Sequence, residues 1–213
     1  MKLIQIADLH IRTLSRHKEY KEYFEEFFSQ LKQINPDGIC IIGDIIHSRS
    51  DVSSELFDLL VWLFNKCASI AETYIILGNH DKNLFGDRLD AISPVVNAIN
   101  NPKVHLYKES GVYEFAPNYF FCVYSVLDKD NWKNVIPVKG ATNICLMHTG
   151  VMGAKNDAGF VLPGETDPDF FKPYDIVMLG DYHLRQHLSY KEVEIEIDEN
   201  ELENYPDAIV IGK

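Results

Sequence analysis

Residues 36–47 read PDGICIIGDIIH, and this stretch decides the architecture. Pro36, Asp37 and Gly38 break whatever helix precedes them. Ile39–Ile42 is then a short, unbroken apolar run, the pattern of a buried strand in a parallel sheet. It stops at Gly43-Asp44-Ile45-Ile46-His47, a strand end that bears an aspartate and a histidine. Outward from it, apolar and amphipathic runs alternate as βα units do. Upstream, Lys2–Ala7 reads as a strand. Lys18–Ile34 reads as a helix with Tyr20, Tyr23, Phe24, Phe27, Phe28 and Leu31 on its core face. Downstream, Ser54–Ala68 is a helix capped by Ser53 or Ser54, Thr73–Leu77 a strand, and Asp87–Ile99 a third helix. From Val104 the texture changes: VHLYKE, VYEFAP and YFFCVYSV read as consecutive antiparallel strands. Ile144–Met147 and Asp175–Leu179 are short buried strands, and Thr149–Pro173, with four glycines, is a long loop of functional kind.

Composition bounds the class. The chain has 213 residues, 46% apolar and 24% charged, enough for a core without disulfide or metal staples. It has no run near the ~20 apolar residues of a membrane span and no secretory leader pattern, so no membrane role and a cytoplasmic location are expected. The four cysteines show no C-x-x-C spacing and sit in apolar or helical segments, which predicts reduced core thiols. Net charge is −12, and Lys191–Lys213 alone holds eight acidic and two basic residues. Such a balance disfavours a passive nucleic-acid coat, which needs clustered Lys and Arg. The expected division is residues 1–190 as the main domain and 191–213 as an acidic strand or tail.

Five strands end in residues of metal-ligand type: Asp8 and His10; Asp44 and His47; Asn79, His80 and Asp81; His148; Asp181 and His183. Ligands in open α/β sheets bind at the carboxyl ends of strands. In an extended D-x-H segment the two side chains point the same way, so Asp8 and His10 are expected to share an ion. Asp44 is short enough to bridge two ions. Ions about 3.5–4 Å apart can clamp a phosphoryl group for in-line attack. The mixed nitrogen and oxygen set suits Mn²⁺, Fe²⁺ or Zn²⁺ better than Ca²⁺.

The ordered set D-x-H, G-D-x-x-H, G-N-H-D, a later strand-end His and G-x-x-H resembles the calcineurin-like metallophosphoesterases over roughly residues 1–187. Histidine at position 47, and MHTGVMGAKNDAGF followed by YDIVMLGDYHLRQ, resemble the nuclease subunit of SbcCD-type double-strand-break repair complexes, phage versions included. The resemblance implies a four-layer α/β (α+β sandwich) fold, two mixed sheets flanked by helices with a dinuclear metal site at the strand ends. It implies that Asp8, His10, Asp44 and His183 hold one metal, and that Asp44, Asn79, His148 and the Asp181 position hold the other. His80 would protonate the leaving oxygen, Asp81 would orient its ring, and His47 would position the scissile phosphate. Arg12, Arg49 and Arg185 are candidate phosphate contacts. The implied activity is Mn²⁺-dependent DNA cleavage, as 3'–5' exonuclease and single-strand endonuclease, in repair or recombination. A coiled-coil SMC-like ATPase partner, a homodimer and, for a phage-encoded chain, the host cytoplasm follow from the same resemblance. Capping and ATPase-binding regions are expected to lie outside this chain. The family's usual last motif is G-H-x-H, and Asp181 stands where its first histidine would be. The added negative charge is expected to favour Mn²⁺ or Mg²⁺.

Two other readings stay open. A small-molecule phosphodiesterase or phosphatase on the same scaffold fits the acidic charge. A non-catalytic interaction module of the same fold would have no use for His80.

Overall fold

The computed structural model describes residues 1–12, 16–48, 52–83, 89–155, 159–181 and 209–212. The chain divides into two compact units, Met1–Lys108 and Glu109–Lys213.

The first unit holds one sheet of four parallel strands in chain order: β1 (Leu3–Ile6), β2 (Gly38–Ile42), β3 (Glu72–Ile76) and β4 (Val104–Tyr107). All five residues of β2 are buried, as its unbroken apolar run requires of a strand with neighbours on both sides. Helix α1 (His17–Ile34) joins β1 to β2, and α2 (Ser54–Ile70) joins β2 to β3. Ser53 caps α2 by accepting the Leu56 N–H at 3.2 Å, a contact of about 1 kcal/mol. Asn35 ends α1 in the left-handed conformation, donating its N–H to the Leu31 carbonyl just before Pro36.

Three sequence expectations are corrected in this unit. Of the aromatic face assigned to α1, Phe24, Phe28 and Leu31 are buried, but Tyr23 is 71% exposed. The helix expected over Asp87–Ile99 is α3 over Ser93–Ile99, with residues 89–92 outside it and Asp87 outside the described residues. Pro94 sits in its first turn, and the Asp90 carboxylate accepts from the N–H groups of Ile92 and Ser93, so the helix starts where those bonds place it. The segment VHLYKE is the parallel strand β4, hydrogen-bonded to β3, and takes no part in the antiparallel set. The first sheet is therefore wholly parallel, and only the second is mixed.

The second unit holds a five-stranded sheet: β5 (Gly111–Ala116), β6 (Tyr119–Tyr124), β7 (Thr142–His148), β8 (Ile176–Gly180) and β9 (Ile209–Gly212). β5 and β6 form an antiparallel hairpin, β6, β7 and β8 are parallel, and β9 closes the edge antiparallel to β8. Part of the segment expected to be an acidic strand or tail is thus the edge strand β9. The core beneath this sheet includes Cys122, Tyr124, Cys145, Met147, Phe171, Tyr174 and Leu179, with the Tyr124 and Tyr174 hydroxyls bonded to each other. Loop 149–173 is tightly tied where it is described. Met152 donates to Thr166, Glu165 and Thr166 donate to Gly150, and a 3₁₀ turn spans Pro168–Phe171. No helix among the described residues is long and apolar enough to cross a membrane.

Candidate metal centre

The carboxyl ends of β1 and β2 continue side by side beyond the sheet. Asp8 donates its N–H to Gly43, His10 to Asp44, Ile11 to Ile45, and His47 back to Ile11. Ile11, Ile45 and Ile46 are fully buried and anchor this extension. The backbone along it is not extended. Asp8 (φ 54°), His10 (φ 43°) and Asp44 (φ 49°) are left-handed, as is Gly43 (φ 74°). This corrects the expected geometry: Asp8 and His10 do not share a direction through a flat D-x-H strand. They converge because two left-handed residues re-aim the chain. Left-handed backbone costs a residue with a β-carbon on the order of 1–2 kcal/mol, and such outliers gather at functional sites. Among the described residues, the other non-glycine positive φ values belong to three asparagines, Asn35, Asn100 and Asn118, and to Asp181. Asparagine, aspartate and histidine enter this region more readily than other residues with a β-carbon, and here Asp8, His10 and Asp44 do so together along two adjoining segments.

What over-determines the strained segment is Asp81. Its carboxylate is fully buried and accepts three backbone N–H groups, from Ile45 at 2.9 Å, Ile46 at 3.1 Å and Gly78 at 2.9 Å. Asp81 therefore ties the loop after β2 to the end of β3. The expected ring-orienting role falls elsewhere: the Nδ1 of His80 lies 2.9 Å from the His47 carbonyl, and that contact sets the His80 ring. A carbonyl only accepts, so Nδ1 carries the hydrogen and Nε2 is left for other chemistry.

Asp44 is 3% exposed. Its Oδ1 accepts the His80 N–H at 2.8 Å, and its Oδ2 lies 3.7 Å from His10 Nε2 and 3.9 Å from His80 Nε2. Donor atoms of Asp8, His10 and Asp44 lie within 4.8 Å of one another, the spacing of groups that can hold one ion. On the segment that carries His80, the Asn79 Oδ1 is buried and meets no hydrogen-bond donor among the described residues. An orphaned buried carbonyl oxygen is costly unless something cationic or a donor meets it. Oxygen and imidazole donors with no thiolate, plus this oxygen, fit a divalent ion. Sequence reading missed one further arrangement: ring nitrogens of His10, His47 and His80 also lie within 4.8 Å of one another. It also missed Tyr20, whose hydroxyl donates to the His10 carbonyl at 3.1 Å. No spacing rule connects a helix tyrosine to a strand-end carbonyl.

In the second unit, His148 is the last residue of β7, 4% exposed and paired in register with Gly180. Its Nε2 lies 3.9 Å from Oδ1 of Asp181, which has φ 97°. Two of the three strand-end residues expected in this unit, His148 and Asp181, thus lie near each other. Arg12 is exposed. Arg49, His183 and Arg185 lie outside the described residues.

Parallel βα units whose strand ends gather carboxylates, imidazoles and an asparagine amide define a metal-dependent α/β hydrolase scaffold. The chain belongs to the calcineurin-like phosphoesterases: that family's model matches residues 1–212. It is 36% identical over 203 residues to "Uncharacterized protein R555" of Acanthamoeba polyphaga mimivirus, covering 88% of this chain and 15% of that protein's length. The chain thus spans a small part of that relative. Among solved structures it is similar to the Pseudomonas putida nuclease MPE, with a TM-score of 0.42 and 14% identity, over 76% of this chain and 67% of that one.

Proposed function

We propose that the chain is a two-metal DNA phosphodiesterase of SbcCD nuclease type, acting in repair or recombination. The observation that carries this reading is the convergence of Asp8, His10 and Asp44, together with the orphaned Asn79 oxygen at the end of the neighbouring strand. The reading assigns metal holding to these four residues and, in the second unit, to His148, Asp181 and His183. Bound divalent ions supply Lewis-acid activation of the phosphoryl group and of the attacking water. The protein's own residues do the rest. The His47 carbonyl holds His80 at Nδ1, so Nε2 is the atom that, in the doubly protonated ring, passes a proton to the leaving oxygen as the P–O bond breaks. His47, at the exposed rim, contacts the scissile phosphate. Asp81 acts at one remove, through the backbone that presents Asp44. Mn²⁺ is the proposed physiological ion, DNA the substrate, and an SMC-like ATPase and a second copy of the chain the proposed partners.

The test is Mn²⁺-dependent shortening of end-labelled single- and double-stranded DNA, with Asp44→Ala as control. Shortening by the native chain alone is expected. A second reading, a phosphoesterase for small substrates, draws on the net charge of −12, since a small substrate needs no basic track. Turnover of a nitrophenyl phosphodiester without DNA cleavage would replace the first reading with the second.

A further inference from the structure

We propose that His10, His47 and His80 form a second, overlapping transition-metal site that takes a borderline ion such as Zn²⁺ or Cu²⁺. The nuclease reading uses these rings differently: one as a ligand beside carboxylates, one as a phosphate contact, one as a proton donor. Their mutual geometry is nevertheless that of an imidazole ion site. One nitrogen of each lies within 4.8 Å of the other two. The rings meet edge to face, His10 with His80 at 4.8 Å between centroids and His10 with His47 at 5.7 Å, while His47 and His80 lie at 5.9 Å.

Each ring is anchored through its backbone. His10 donates its N–H to Asp44, His47 to Ile11, and His80 to the Asp44 carboxylate, while Tyr20 binds the His10 carbonyl. The His80 tautomer leaves its Nε2 lone pair as the ligand atom. Zinc–nitrogen bonds of about 2.0–2.1 Å put tetrahedral ligand atoms about 3.4 Å apart. Asp44 Oδ2, 3.7 and 3.9 Å from the Nε2 atoms of His10 and His80, is within a few tenths of an ångström of that spacing and is a fourth donor, while the three ring nitrogens, within 4.8 Å of one another, close further on an ion. Three imidazoles favour zinc, copper or nickel, whereas the Asp8–His10–Asp44 grouping is richer in hard oxygen and suits Mn²⁺ or Mg²⁺. The two groupings share His10 and Asp44, so the ions compete. If the phosphodiesterase reading holds, an ion on the three rings takes up the Nε2 that carries the proton and inhibits turnover.

The experiment is an equilibrium titration of the metal-free full chain with Zn²⁺ against a chromophoric chelator, and with Mn²⁺ by electron paramagnetic resonance. His47→Ala and Asp8→Ala separate the groupings. Expected is a loss of zinc affinity exceeding about 10-fold in His47→Ala with Mn²⁺ binding kept, and the reverse in Asp8→Ala. Equal zinc affinity in His47→Ala and the native chain would overturn the site. The Cu²⁺ resonance spectrum of the native chain provides a second readout without a variant. Nitrogen hyperfine structure from three imidazoles supports the site, and structure from fewer refutes it. Both measurements use the metal alone, so they are decided independently of whether the chain cleaves DNA.

Discussion

A β-carbon placed on Gly78 would collide with both the backbone nitrogen and the Oδ1 of Asp44. The glycine of Gly-Asn-His-Asp is there because the carboxylate of the neighbouring loop fills the space a side chain would need. Gly78→Ala must push Asp44 aside, and Asp44 cannot yield without leaving the His80 N–H it binds. Mn²⁺ affinity is expected to fall about 10–100-fold, the range seen when a ligand's support is lost. Calorimetric titration measures it; an unchanged affinity would show that Asp44 moves freely.

Asp81 predicts a stability effect larger than its single side chain suggests. Asp81→Ala strands the N–H groups of Ile45, Ile46 and Gly78 in the interior, each costing about 1–3 kcal/mol. That sum is a large share of the ~5–15 kcal/mol by which domains are stable. Urea unfolding is expected to show a much lower midpoint for Asp81→Ala, with Asp81→Asn between it and the native chain because the amide keeps one acceptor oxygen.

Asp90 gives a pH dependence. Burial acts to raise its carboxyl, but the bonds from Ser93 and the Lys108 ammonium 3.0 Å away outweigh it and hold the group below the usual carboxylate range. A folded value below the unfolded one stabilises the protein above about pH 4 and is lost as pH falls through the folded value. Asp90→Asn is expected to cost about 1–3 kcal/mol at neutral pH, a difference that shrinks in acid. Thermal unfolding of both proteins from pH 7 down to pH 3 tests it, and a difference constant with pH would contradict the assignment.

The thiols should be silent in the folded chain. Cys40, Cys67, Cys122 and Cys145 are buried. Burial pushes Cys67 up to about 12 and Cys122 to about 11, with Cys40 and Cys145 displaced in the same direction. The thiolate is the reactive form, so an aromatic disulfide reagent at pH 8 is expected to label none of them until denaturant is added. Rapid labelling in native buffer would place at least one thiol within reach of solvent.

The strands that carry the site were legible as apolar runs, and Asp8, Asp44, Asn79 and His148 as strand-end interruptions of such runs. Burial selects side chains one by one, so it leaves a local trace in the order of residues. Pairing leaves none: the composition of VHLYKE is the same beside β3 as beside β5, and only the packed sheet decided that it is β4. The start of α3 at Ser93 likewise depended on where Asp90 was held. The convergence of Asp8 with His10 was expected from the wrong geometry, because a left-handed residue with a β-carbon is unfavourable by itself. It exists only where bonds from distant residues offset its cost, here the backbone bonds from Asp8, His10 and Ile11 to the loop after β2, which Asp81 in turn fixes. The kinds of residue at the site, and the strand ends that bear them, were therefore written locally in the chain. Their aim, the contact between Gly78 and Asp44 and the meeting of three histidine rings were decided by tertiary structure, through hydrogen bonds between segments more than 30 residues apart.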